Sequence, residues 1–233
     1  MRRAEPPAAN ATAEALEERG DQLRAVKAYL DALDYYRAAL AKKPNTAEIY
    51  NKAGICELQL RRFRQASKDF EASIRNSSQN ADYYNNLGAA YHLEKKYGKA
   101  IKQYEKAIKL RQDAASYYSN LGSAYFSKRA FEKAAAAYSQ AVQLDPDVFE
   151  RTSRTGITAQ TSSPEDRARF DYVVAKLFAK AGDRDRSLQY LRKAVEEGYK
   201  GINDVYKDAE FAELRKDHRF TELMAARPLA IPE

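Results

Sequence analysis

The side chains able to make bonds or hold metals are few and scattered. His92, His218 and Cys56 are the only histidines and the only cysteine among 233 residues. None of them stands at the spacing of a zinc site. No glycine-rich loop of the kind that cradles phosphate is present, and no histidine neighbours a plausible nucleophile. Carboxylates mostly alternate with cations, as in Glu94, Lys95, Lys96, Lys99, Lys102, Glu105 and Lys106. This pattern predicts no metal, no cofactor and no enzyme. What remains is the chemistry of amides and phenols. Asn51 and Asn85 lie one interval of 34 residues apart, as do Asn86 and Asn120, and tyrosine pairs recur at Tyr83-Tyr84 and Tyr117-Tyr118. An amide offers both donors and an acceptor, so such a ladder can grip a peptide backbone without demanding a sequence.

The elements carrying these residues follow from the same interval. Gly20, Gly54, Gly88 and Gly122 are 34 apart, and so are Ala32, Ala66, Ala100 and Ala134. Tyr36, Phe70, Tyr104 and Tyr138 keep that spacing, joined by Tyr29, Phe63, Tyr97 and Phe131, then by small residues at Ala39, Ser73, Ala107 and Ala141. Each interval holds two apolar stripes at helical spacing, broken by turns near 60–62, 94–96 and 128–130. Glycine and alanine are expected where two helices cross, with the aromatics filling the wedge between successive hairpins. One hairpin cannot bury both stripes, so several must stack. With nine glycines, seven prolines and no tryptophan against seventeen tyrosines, the composition suits a helical protein.

The period and residue types resemble the tetratricopeptide repeat. The third unit shows Tyr84, Leu87, Gly88, Tyr91, Tyr97, Ala100, Tyr104 and Ala107; the fourth shows Tyr118, Leu121, Gly122, Tyr125, Phe131, Ala134, Tyr138, Ala141 and Pro146. In the second unit Glu57 occupies a usual aromatic position and Ser78 replaces the closing proline. The resemblance implies an all-α, right-handed solenoid of stacked antiparallel helix pairs. A flexible segment over 1–12 precedes four units, 13–46, 47–80, 81–114 and 115–148.

The register then breaks. Glu150 through Ser163 is rich in Thr and Ser and reads as a loop insertion over 149–163. Ser163-Pro164-Glu165-Asp166 combines a cap, a first-position proline and acidic residues, and predicts a helix start. A degenerate fifth hairpin follows over 164–201, with Ser187, Leu191 and Ala194 in the small, aromatic and small positions and Gly198 as a left-handed cap. Two short helices over 202–233 are expected to cover it with Val205, Phe211, Leu214, Phe220 and Leu223.

The resemblance implies that first helices line a concave groove holding an extended peptide or a partner helix. Register then places there Asn51, Lys52, Ile55 and Gln59, then Asn85, Asn86, Ala89 and His92, then Ser119, Asn120, Ser123, Phe126 and Ser127. Chaperone-binding members clamp a terminal carboxylate with cations, but only Asn86 matches that pattern, and Ser116 and Asn120 stand where cations are expected. Glu14, Glu17, Glu18 and Asp21 at the first end predict a neutral or basic extended segment as partner. The function expected is a non-catalytic scaffold or adaptor. The alternative is self-association, as a weak homo-oligomer rather than a monomer, in a bacterial envelope or assembly complex. RNA binding is disfavoured by acidic residues on the first helices. A net charge of +7 spread over mixed-sign faces does not form a nucleic-acid arm. No apolar run is long enough to span a bilayer. The opening lacks an apolar core, which makes the cytoplasm the default compartment and the periplasm the alternative if a leader has been removed.

Overall fold

The computed structural model describes residues 4–152 and 163–226. The described residues are helical and contain no strand. They divide into two compact units, 1–130 and 131–233, and the fourth repeat contributes its first helix to one and its second to the other.

The first unit holds α1 (Ala13–Ala25), α2 (Tyr29–Lys42), α3 (Ala47–Gln59), α4 (Phe63–Asn76), α5 (Ala81–Leu93), α6 (Tyr97–Leu110) and α7 (Ala115–Ser127). The helices α1, α3 and α5 pack on the even helices that follow them, and α2, α4 and α6 on the odd helices after them. Side-chain oxygens of Thr12 and Asn80 accept backbone N–H bonds at the starts of α1 and α5, satisfying donors that a helix end otherwise leaves open. The small residues Ala32, Ala66 and Ala100 are fully buried, as are the aromatics Tyr36, Phe70 and Tyr104. Full burial of one such aromatic is worth about 1.5–3 kcal/mol.

These aromatics do two jobs: Tyr36 shares a core cluster with Ile49, Ala53 and Cys56 of the following hairpin, and each ring also meets its own hairpin's crossing. A Cβ placed on Gly20, Gly54 or Gly88 would stand 2.6 Å from the ring of Tyr36, Phe70 or Tyr104 respectively. Each ring therefore lies against the glycine of its own hairpin, sixteen residues earlier. Other groups also fill the wedge between hairpins. Tyr117 is buried there, and Tyr84 packs half-buried beside Ala81, Ala107 and Tyr117. The first member of each tyrosine pair is thus the deeper one, because the helix face pointing into the stack is set by the preceding hairpin.

The second unit holds α8 (Phe131–Leu144), α9 (Val148–Thr152), α10 (Pro164–Lys180) and α11 (Arg184–Glu196). Three 3-10 turns follow, Ile202–Tyr206, Ala209–Phe211 and Leu214–Lys216, and then α12 (His218–Ala225). The register break therefore begins with a short helix instead of a loop. Phe149 of α9 is buried, in edge-to-face contact with Tyr138 at 5.3 Å and with Phe170 at 5.5 Å. Three mutually perpendicular rings make a strong local anchor. The remainder of the expected insertion, 153–162, lies outside the described residues. Ser163 caps α10, with Pro164 at its first position, as its sequence requires.

Beyond α11 the chain covers the last hairpin with the 3-10 turns and α12 rather than with two helices. Val205, Phe211, Leu214 and Phe220 are buried as expected. Leu223 is only half-buried, and Met224 fills the core in its place. A one-residue shift of facing on a helix of eight residues accounts for the exchange.

Candidate protein-binding surface

The residues proposed to face a partner lie on α3, α5 and α7, and the structure sorts them. Asn51, Lys52, Ile55, Asn85, Asn86, Ala89 and Asn120 are half-exposed. His92, Ser119, Ser123 and Phe126 are buried, which removes them from any face that a partner could touch. Their helix positions turn toward neighbouring helices. Gln59 is exposed and Ser127 half-exposed.

The amides are already in use. Asn86 Nδ2 donates to Asn51 Oδ1 at 2.9 Å, and Asn120 Nδ2 donates to Asn85 Oδ1 at 3.0 Å. Both links join residues 35 apart, one repeat plus one position. The same offset recurs from Lys52 to Glu17 at 2.6 Å, from Tyr117 to Asp82 at 2.6 Å and between Ser127 and His92 at 3.3 Å. First helices are thus stitched to one another by a row of polar contacts. The amide ladder expected to grip a backbone holds the repeats together first. Each amide pair still keeps unspent N–H groups and acceptor lone pairs.

The expected acidic end is largely neutralised. Lys52 Nζ reaches Glu17 at 2.6 Å, Asp21 at 2.8 Å and Glu48 at 3.2 Å, with only 14% of its side chain exposed. Burial alone would lower its pKa, but the three carboxylates outweigh that and hold it above the usual lysine range. Asp21 also accepts the Tyr36 hydroxyl at 2.6 Å. Glu14 pairs with Lys43. Attraction of a basic segment to these carboxylates therefore loses much of its basis, and Lys52 is not free to hold a partner.

His92 shows why a lone histidine on a helix is a poor ligand here. Its ring is 1% exposed and meets Tyr97 edge-on at 5.2 Å, and Nδ1 has no partner. Burial pushes its pKa down to about 4, so the ring is neutral at physiological pH. Burial likewise pushes the Cys56 thiol up to about 12, which makes it an unreactive core residue. Among the described residues no group of three His, Cys, Asp or Glu could hold a metal ion. No described helix is long and apolar enough to cross a membrane.

One cluster is not evident from the repeat pattern. Arg37 of α2 makes two parallel bonds to Asp69 of α4, at 2.7 and 2.5 Å, and reaches Glu57 of α3 at 3.5 Å. Both carboxylates are buried. The clue available in the sequence is Glu57 itself, an acid where the repeat normally places an aromatic; its cation cannot be assigned without the fold.

A stack of 34-residue helical hairpins, stitched along one set of helices, defines an α-solenoid scaffold. Sequence comparison gives the family: tetratricopeptide-repeat families match residues 52–109 and 115–148, and a further TPR repeat family matches 91–129. Residues 52–148 carry tetratricopeptide repeats. No curated protein matches its sequence. Among solved structures it is similar to that of MamA, at 23% identity and a TM-score of 0.57 over 79% of this chain and 96% of the other. MamA 41-end from Desulfovibrio magneticus RS-1 aligns at 18% identity and 0.59, over 82% and 97%. YrrB, described as a TPR protein with an unusual peptide-binding site, aligns at 18% and 0.57, over 86% and 100%. At these identities the likeness is one of fold.

Proposed function

We propose that this chain is a non-catalytic protein-interaction scaffold that seats an extended peptide or a partner helix along α3, α5 and α7. The observation that carries the reading is the pair of amide links, Asn86 to Asn51 and Asn120 to Asn85. They hold half-exposed amides in fixed orientation with hydrogen-bonding capacity left over. Preorganised groups of this kind bind a backbone at low entropic cost. Ile55 and Ala89 add half-exposed apolar surface beside them. YrrB, of the same fold, has a peptide-binding site, which supports the class of ligand. With the acidic end neutralised, the segment that fits is neutral, or basic only where it passes Glu48, whose side chain remains 66% exposed. Each bond to a neutral amide contributes about 0.5–1.5 kcal/mol net, so affinity is expected in the micromolar range.

The test is a displayed random-peptide library selected on the wild-type chain and counter-selected on Ala89→Trp, which puts a bulky ring on the half-exposed face one turn from Asn85 and Asn86 while leaving all four asparagines in the sequence. Enriched peptides should bind the variant about tenfold or more weakly, a loss of about 1.4 kcal/mol, while its melting temperature holds. Peptides that bind both proteins equally would place the binding face elsewhere.

A further inference from the structure

The hairpin turns of the first unit share an unusual backbone. Lys27, Arg61, Lys95 and Arg129 all have φ between 59 and 61°, in the left-handed region. A residue with a Cβ is strained there, and glycine is the default. The fifth hairpin makes the same turn with Gly182 at φ 79°. The hydrogen bonding is equivalent: Lys95 N donates to His92 O and Lys96 N to Tyr91 O, as Gly182 N donates to Ala179 O and Asp183 N to Phe178 O. Glycine therefore serves this turn within the same chain. Every one of the four regular turns nonetheless carries a cation.

More cations surround these. A cleft of about 570 Å³ is lined by Lys95, Lys96, Lys99, Lys102 and Lys128, with Tyr97. Gly98 widens it, since a Cβ there would meet nothing within 4 Å. A second concavity of about 390 Å³ is lined by Arg61, Arg62 and Arg64 and shares Lys96 with the first. The two form one basic edge across three consecutive turns. Among the described residues, Lys95, Lys99, Lys102, Lys128, Arg61 and Arg64 have no carboxylate within 4.0 Å. The one acid lining these clefts, Glu94, is 6% exposed at its side chain and is spent on Ser67 at 3.0 Å and Lys96 at 2.6 Å.

We infer that this edge is a second interaction surface, distinct from the first-helix face, and that it takes an extended acidic polypeptide segment. Packed helices lie about 8–10 Å apart, and an extended chain rises about 3.3 Å per residue. A carboxylate at every third residue thus meets successive turns. Single-stranded nucleic acid fits less well, because base recognition needs rings free to stack. Tyr97 is instead held edge-on by His92. The cleft is also lysine-rich, which suits single carboxylates as point charges rather than the forked recognition that arginine gives.

The probe is a fluorescein-labelled twelve-residue peptide with Glu at every third position, alongside the same peptide with Gln. Twelve-nucleotide oligouridine and phosphatidylcholine vesicles containing phosphatidylserine complete the set. The Glu peptide should bind most tightly at near-physiological salt and weaken as salt rises, and the Gln peptide should not bind. Arg61→Gly/Lys95→Gly should lower the affinity about three- to tenfold, as expected for two exposed pairings, with an unchanged or raised melting temperature. Arg61→Asn/Lys95→Asn, which also tolerates the left-handed region, should do the same. Ala89→Trp should bind the Glu peptide as wild type does, so that failure of the first-helix reading leaves this one standing. Tighter binding of oligouridine or vesicles would overturn the inference. So would wild-type affinity in both double variants, or a lowered melting temperature in both.

Discussion

Two hairpins of this molecule, α5/α6 in the first unit and α10/α11 in the second, solve the same crossing with different residues. In the first, Gly88 faces Tyr104 sixteen positions later, and a Cβ would stand 2.6 Å from the ring. In the second, the equivalent residues are Ala175 and Leu191, both fully buried. The smaller partner leaves room for a methyl, and Ser187 Oγ closes the crossing by donating to Ala175 O at 2.8 Å. At the turn the choices are reversed, with Lys95 in the regular hairpin and Gly182 in the irregular one. Glycine thus makes space in one hairpin and eases the backbone conformation in the other. Both hairpins fill one volume shared by two positions. Either position can change if the other compensates.

Buried charge separates the units as well. In the first, Asp69 and Glu57 share Arg37, whose guanidinium bridges α2 to the following hairpin. In the second, Asp171 of α10 is buried without a hydrogen bond or ion pair to any described residue. Burial, reinforced by Glu197, pushes its pKa up to about 7.

The largest expected effect breaks the paired cluster. Arg37→Met should destabilise the first unit by about 3–5 kcal/mol, because it leaves buried Asp69 without its cation and Glu57 with only Arg62, at 3.6 Å. Chemical denaturation would show it, and adding Asp69→Asn should recover part of the loss. A change below about 1 kcal/mol would mean that water replaces the guanidinium, and that the cluster is exposed in solution.

Next comes the crossing itself. Gly88→Ala should cost about 1–3 kcal/mol from overpacking against Tyr104. Gly88→Ala/Tyr104→Leu reproduces the pair found in the second unit and should relieve the clash. Thermal melting of the two single variants and the double completes a cycle whose coupling term is expected to be favourable. Simple additivity would show that the two hairpins do not share a volume rule.

The smallest effect is a difference in acid response. Unfolded histidine titrates near 6.5 and His92 in the fold near 4, so between these values the unfolded state binds more protons. Stability in the first unit then falls as pH drops from about 6.5 toward 4. Asp171 is the reverse case, with a folded pKa near 7 against an ordinary 3.8. Its unit gains stability as pH falls from about 7 toward 4. At pH 5 each contribution is on the order of 1–2 kcal/mol. Hydrogen exchange, corrected for intrinsic rate, should show protection decreasing over 81–110 and increasing over 164–196 between pH 7 and pH 5. Parallel changes in both segments would remove these two groups as the cause.

Much of this architecture is written in the chain as a period. Five residue series at one interval specify paired helices, their turns and the small residues at crossings, because a 34-residue repeat must solve the same packing problem each time. Ser163 and Pro164 mark their helix start by local hydrogen-bonding rules alone. The cationic turn series at Lys27, Arg61, Lys95 and Arg129 is equally visible as a period; its left-handed backbone is not. Which face each helix turns inward was decided by the tertiary structure, since a helix exposes or buries a position according to what packs on it. That is why His92, Ser119, Ser123 and Phe126 are buried, and why Asn86 and Asn120 spend an N–H on Asn51 and Asn85. The contacts at an offset of 35 residues join neighbouring repeats. A periodic sequence shows that repeats adjoin, but the one-residue slip between adjoining helices arises only from their packing.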